Sequence, residues 1–144
     1  SSKIKHRIFP DSEIDMYKRL VMRNSGNDFS RTHFRDALLT DLLKPLDLEL
    51  QNFRPSILFI NGEYWGLHNI REKYDRFHFK YNFGADKDSV TVIDAKGRSE
   101  EGDNADYQSL INFVNNNDLS VRANYERVEE WVDISNFIDF QISQ

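Results

Sequence analysis

Apolar and polar positions change period several times along the chain, and those changes mark its elements. The densest signal lies at residues 54–72: Arg54-Pro55-Ser56-Ile57-Leu58-Phe59-Ile60, then Asn61-Gly62, then Glu63-Tyr64-Trp65-Gly66-Leu67-His68-Asn69-Ile70-Arg71-Glu72. Two runs rich in β-branched and aromatic residues around Asn-Gly predict an antiparallel β-hairpin. A two-residue type I′ loop needs positive φ at both positions, and Asn and Gly supply it at the least steric cost. Such a loop sets Ile60 opposite Glu63, Phe59 opposite Tyr64 and Leu58 opposite Trp65. One face then carries Leu58, Ile60, Trp65 and Leu67, the other Ile57, Phe59 and Tyr64, so both read as buried and the hairpin as central. Pro55, without an N–H, belongs at the start of its strand, and Gly66 marks a bulge or a close backbone approach.

Around the hairpin the pattern is sparser. Residues 1–11 are polar and basic and carry no strand signal. Residues 16–23 alternate, with Met16, Lys18, Leu20 and Met22 on one side and Tyr17, Arg19, Val21 and Arg23 on the other, which predicts a half-exposed strand. The run Asn24-Ser25-Gly26-Asn27-Asp28 breaks it. Phe34, Leu38 and Leu42 recur at helical spacing, with Leu39 and Leu43 widening the stripe, so a helix is expected from Ser30 or Thr32 to Lys44, ended by Pro45. Residues 74–83 read as an aromatic-rich helix with Asp75 at its N-cap and Gly84 just past its end. Val90-Thr91-Val92-Ile93 reads as a strand, and the Gly- and charge-rich residues 95–104 as a mobile loop. Tyr107, Leu110, Ile111 and Val114 then share one face of a helix capped by Asp103 or Asn104 and stopped by Asn115-Asn116-Asn117. Two more helices follow, one over residues 120–131 and one starting at Asp133 with Phe137, Ile138 and Ile142. Together these predict an α+β fold, a central antiparallel hairpin with packed helices.

With 144 residues, 39% hydrophobic and 13% aromatic, the chain suits one domain with a real core, of soluble globular composition. A formal charge of −5 argues against nucleic acid or an anionic membrane as partner, because those need clustered Lys and Arg. The absence of Cys removes disulfides, a thiolate nucleophile and Cys-based zinc sites, and leaves the compartment open. No apolar run is long enough to span a bilayer. The chain opens without a start methionine and stops inside a periodic segment, so residues 1–144 read as a single partial domain cut at both ends.

Generic chemical signatures are sparse. Neither Gly-x-Gly-x-x-Gly nor Gly-x-x-x-x-Gly-Lys-Ser/Thr occurs, so both common phosphate cradles are missing. Asp86-x-Asp88 opens like a calcium loop, but Val90 takes the next ligand position, and the pair reads as turn chemistry. His6, His33, His68 and His78 lack ligand spacing, and no metal site is expected. Glu63 and Glu72 as a glycosidase-like acid pair is a weak alternative. Two polar constellations stand out: Arg23-Asn24-Ser25-Gly26-Asn27-Asp28 with Arg35-Asp36, and Ile70-Arg71-Glu72-Lys73 at the hairpin's end. Either could bind a ligand. The plainer expectation is that Asn27 and Asp28 make turn hydrogen bonds, that Asp36 pairs with an Arg at the helix start, and that Asp28, Arg35 and Asp36 tie strand to helix.

These same blocks closely resemble the spore coat protein H (CotH) kinase family. They are Leu20-Val21-Met22-Arg23-Asn24-Ser25-Gly26-Asn27-Asp28, Arg35-Asp36-Ala37-Leu38, and Arg54-Pro55 through Asn61-Gly62-Glu63-Tyr64-Trp65-Gly66-Leu67 to Arg71-Glu72-Lys73. The tail, Asn124-Tyr125-Glu126 with Asp133-Ile134-Ser135-Asn136-Phe137-Ile138-Asp139, resembles the segment before the family's catalytic loop. The resemblance covers about residues 9–140. It implies a fragment of a divergent protein-kinase-like fold, use of ATP with a divalent metal, and phosphorylation of proteins at a coat or cell surface, outside the cytoplasm. By position, the helix over residues 30–44 is similar to the small-lobe helix, and Ile70-Arg71-Glu72 to the hinge that faces adenine. The family's lysine-bearing strand is expected upstream of Ser1, and its catalytic Asp, its Asn and its metal-binding acid downstream of Gln144. No catalytic residue is therefore expected within the chain, which alone should be inactive and hold no cofactor. A non-catalytic adhesion or assembly module on the same fold is the alternative. A glycan-binding surface on Trp65 or Tyr64 fits less well, since both suit a buried hairpin.

Overall fold

A computed structural model describes residues 2–144. In chain order the elements are β1 (Ile4–Lys5), β2 (Met16–Tyr17), β3 (Leu20–Arg23), a 3-10 turn (Gly26–Asp28), α1 (Arg35–Leu42), β4 (Phe53–Ile60), β5 (Glu63–Glu72), α2 (Arg76–Phe83), β6 (Val92–Ile93), β7 (Ser99–Glu101), α3 (Ala105–Asn116), α4 (Arg122–Glu129) and α5 (Ile134–Ile142). The fold is mixed α+β, with small antiparallel sheets and five helices among the described residues. Contacts divide it into two compact units. One comprises the chain up to Lys44 together with Glu49–Val90, the other Pro45–Leu48 together with Thr91–Gln144.

The first unit is built on the predicted hairpin, which acquires a third strand: the sheet order is β3-β5-β4, all antiparallel. Asn61 (φ 52) and Gly62 (φ 84) make the tight loop, and Ile60 pairs with Glu63 and Phe59 with Tyr64 as expected. The register then slips. Ile57 pairs with Leu67, so Trp65 and Gly66 together face the single residue Leu58, and Gly66 has φ 93. This one-residue bulge turns Leu67 onto the face of Ile57, Phe59 and Tyr64 instead of the opposite one. The expectation that both hairpin faces are buried is also corrected: Ile57, Phe59, Ile60, Tyr64, Trp65 and Leu67 are all exposed. Burial is confined to the other end of the sheet, where Leu20 and Ile70 pack on Ile8, Phe9 and Tyr17, with Phe9 and Tyr17 edge to face at 5.6 Å.

Other boundaries move for local reasons. The segment 1–11, expected to lack a strand, contributes β1, which pairs with β2. The expected single strand over residues 16–23 is two, broken at Lys18-Arg19, and its halves belong to different sheets. Helix α1 begins at Arg35 because the chain before it turns tightly, through left-handed Ser25 (φ 55) and His33 (φ 61). Helix α2 matches its sequence signals. The Asp75 carboxylate accepts from the N–H groups of Phe77 and His78, and Gly84 closes the helix, its N–H reaching the Lys80 carbonyl.

In the second unit, β6 is only Val92–Ile93, shorter than the expected strand, and pairs with β7, which lies inside the segment expected to be a loop. Asp94 orders that segment by accepting from the N–H groups of Lys96 and Arg98 and from the Arg98 guanidinium at 2.7 Å. Helices α3 to α5 fall where the apolar spacing placed them, with Asp133 capping α5 through the Asn136 N–H and Phe113 edge to face with Trp131 at 5.5 Å. Among the described residues no helix is long and apolar enough to cross a membrane.

Candidate functional site: an arginine-lined cleft on the small sheet

Alternation along β5 sends Asn69 and Arg71 to one face of the sheet and Ile70 and Glu72 to the other. On the first face Val21 lies opposite Arg71, and Arg23 opposite Asn69. These residues, the loop 24–28 and the first turn of α1 (Arg35, Asp36, Ala37) enclose a cleft of about 680 Å³. That is within the usual range of small-molecule sites, roughly 300–1,000 Å³.

The cleft has a fixed frame. Asp28, buried, receives the Thr32 hydroxyl at 2.5 Å and the Arg35 N–H at 3.1 Å, with the Arg35 guanidinium 3.6 Å away. Those donors, the Thr32 hydroxyl foremost, hold its carboxyl at about 2, below the ordinary 3.8. Asn69 donates to the Ser25 hydroxyl at 3.0 Å and to the His33 carbonyl at 3.3 Å, and Ser25 donates to the same carbonyl at 2.8 Å. Both ends of the loop are thereby tied to β5. Asp36 Oδ2 accepts from Arg71 Nη1 at 2.6 Å and from Arg23 Nη1 at 3.5 Å. The Arg71 side chain is only 5% exposed, whereas those of Arg23 and Arg35 are 58% and 51% exposed.

On the opposite face the polar groups are consumed by one another. Glu72, buried, accepts from the Asn52 backbone N–H at 3.1 Å and the Asn52 side chain at 3.0 Å, and His78 Nδ1 lies 3.8 Å from it. The other nitrogen of His78 meets Glu49 at 2.5 Å. Asp75, besides capping α2, accepts from Arg19 at 3.1 Å. Burial, reinforced by the Glu49 and Glu72 carboxylates, pushes the Tyr74 phenol well above its ordinary range. The cavity here measures about 10 Å³, room for no more than a water.

Of the three residues expected beside adenine, Arg71 thus lines the large cleft while Ile70 and Glu72 face the packed side. All three stand in the central strand, with β3 on one edge and β4 on the other. The structure brings together what the sequence listed as two separate constellations, since Arg71 of the second pairs with Asp36 of the first. Asn69 was missed; its only sequence signal is its place two residues before Arg71, on the same face. Among the described residues no group of three or more His, Cys, Asp and Glu side chains is placed to hold a metal ion.

A family model described as CotH kinase protein matches residues 1–144 of the chain. No curated protein and no solved structure matches it.

Proposed function

Since the chain belongs to the CotH kinase family, we propose that it forms the nucleotide-holding part of an ATP-dependent phosphotransferase with a divergent protein-kinase-like fold, acting on proteins at a coat or cell surface. The observation that carries this reading is the connection of its sheet. A short strand (β3) leads through a helix (α1) to a hairpin (β4–β5), and the last strand inserts between the first two. In a protein kinase a strand cation paired with a helix carboxylate organises the phosphates, and catalysis is mostly positioning and charge neutralisation. Here α1 offers Asp36 to arginines of β3 and β5. Ile70, Arg71 and Glu72 remain the residues that the family relationship would set near the base. A divalent ion would supply charge neutralisation between the phosphates when bound; no ligands for it are assigned among the described residues.

The catalytic acid and the metal-binding acid have no assigned positions in residues 1–144, so the chain alone is expected to transfer no phosphate. The test incubates this chain, and a longer form of the protein carrying the expected acids, with radiolabelled ATP, Mg²⁺ or Mn²⁺ and protein acceptors. Labelling by the longer form only is the expected result. Labelling by the chain alone would overturn the placement of the catalytic groups. A folded longer form that labels nothing would favour the second reading, an adhesion or assembly module, which draws support from the uncovered apolar side chains of the hairpin.

A further inference from the structure

We propose that Asn61 is a site of spontaneous deamidation, controlled by opening of the hairpin tip, and that its isoaspartyl product cannot rebuild the tight loop. The only co-reactant is water, and nothing in the inference rests on the reading above. In the reaction the backbone nitrogen of Gly62, having given up its proton, attacks the side-chain carbonyl carbon (Cγ) of Asn61. The new C–N bond closes a succinimide ring as the bond from Cγ to Nδ2 breaks, and Nδ2 takes up a proton and leaves as ammonia. Water then opens the ring at one of its two carbonyls, with no gain or loss of electrons. Cleavage at Cγ leaves aspartate on the original backbone. Cleavage at the main-chain carbonyl of Asn61 leaves isoaspartate, with the chain rerouted through Cβ and Cγ.

Sequence and local structure single out this position. Asn61 is the only asparagine in the chain that precedes a glycine. Attack needs an unshielded backbone nitrogen, and nothing lies within 4 Å of where a Cβ on Gly62 would sit. Both residues are exposed, so base and water reach them. Asn24-Ser25 is the natural comparison. There the following residue carries a side chain, and that side chain is bound into the loop, donating to the His33 carbonyl at 2.8 Å and accepting from Asn69 at 3.0 Å.

The closed turn holds the reacting atoms apart. Asn61 has φ 52, in the left-handed region, where ψ is about 30 to 60°. That rotation sets the Gly62 nitrogen on the far side of the Cα–C bond from Cβ, out of reach of Cγ. Ring closure therefore waits for the pairs Ile60–Glu63 and Phe59–Tyr64 to separate. The opening it needs is local. The bulge at Trp65-Gly66 interrupts the ladder next to the tip, and Phe59 and Tyr64 are 60% and 62% exposed, so little burial opposes it. The two products then differ in what they can re-form. Aspartate keeps the backbone, and Asp-Gly makes the same turn as Asn-Gly. Isoaspartate lengthens the main chain by one carbon, so a two-residue loop no longer sets Ile60 against Glu63.

The test ages the folded chain, and the same chain unfolded in guanidinium chloride, at mildly alkaline pH and one fixed temperature. Peptide mass spectrometry follows conversion of amide to acid at each asparagine, and enzymatic methylation reports isoaspartate. Conversion is expected at Asn61 ahead of Asn24 in both samples, and about ten-fold or more slowly in the folded chain than in the unfolded one, because only the open tip reacts. Thermal melts then compare fresh wild type, the isoaspartyl fraction of the aged chain separated by ion exchange, and Asn61→Asp. The isoaspartyl fraction is expected to melt below the fresh chain, and Asn61→Asp to melt with the fresh chain. The proposal is overturned if Asn61 stays unconverted, if it converts no faster than Asn24, if the folded chain reacts as fast as the unfolded one, or if the isoaspartyl fraction melts like Asn61→Asp.

Discussion

Asp28 shows how one carboxylate can organise a loop. It faces the Thr32 hydroxyl and two backbone N–H groups, and these hold its carboxyl at about 2 in the folded chain against an ordinary 3.8. Between those values the unfolded chain takes up a proton that the folded chain refuses, so the contribution of Asp28 is complete above about pH 4 and fades as pH falls toward about 2. Urea midpoints of wild type and Asp28→Asn should therefore differ most near about pH 5 and converge toward about pH 2. A gap independent of pH would show that the charge is not what the loop uses. Gly62 makes the complementary point about backbone. It has φ +84 with nothing within 4 Å of where a Cβ would sit, so a side chain meets strain without collision. Gly62→Val is expected to cost about 1–3 kcal/mol in a thermal melt, because β-branched residues are strained at positive φ. An unchanged melt would remove the tight-turn requirement.

At the scale of elements, the hairpin's alternation of apolar residues describes a ribbon whose apolar side chains are mostly exposed. Phe59 is 60% and Tyr64 62% exposed, their rings edge to face at 5.8 Å. Phe59→Lys is accordingly expected to change stability by no more than about 0.5 kcal/mol, the range of an ordinary surface substitution, where a buried phenylalanine would lose about 3–5 kcal/mol. Denaturant titration separates the two, and a core-sized loss would place Phe59 inside. Helices followed their caps more closely than their apolar stripes. Asp75 and Gly84 set both ends of α2 as read from sequence, while α1 starts later than its stripe implied because the residues before it are spent on the turn around Asp28. Gly66 marked the bulge in the sequence and the structure has it there, but the expected pairing of Leu58 with Trp65 and the face expected for Leu67 did not carry the extra residue through the register.

For the whole molecule, a chain of net charge −5 gathers three arginines, Arg23, Arg35 and Arg71, around one cleft. The sequence alone determined the Asn61-Gly62 turn, the caps of α2, the start of α5, the α+β class and the family, because each rests on local stereochemistry or on the order of short blocks along the chain. It also named Arg23, Asp28, Arg35, Asp36 and Arg71 as chemistry-bearing. Only the tertiary structure decided that these form one site. Arg71 and Asp36 are 35 residues apart, and what joins them is the insertion of β5 beside β3, a long-range pairing that no local pattern encodes. Strand alternation then separated Arg71 from Ile70 and Glu72, neighbours in sequence that a two-residue period sends to opposite faces. Which face holds a cavity and which is packed shut depends on what folds back against each, and that is a property of the assembled sheet.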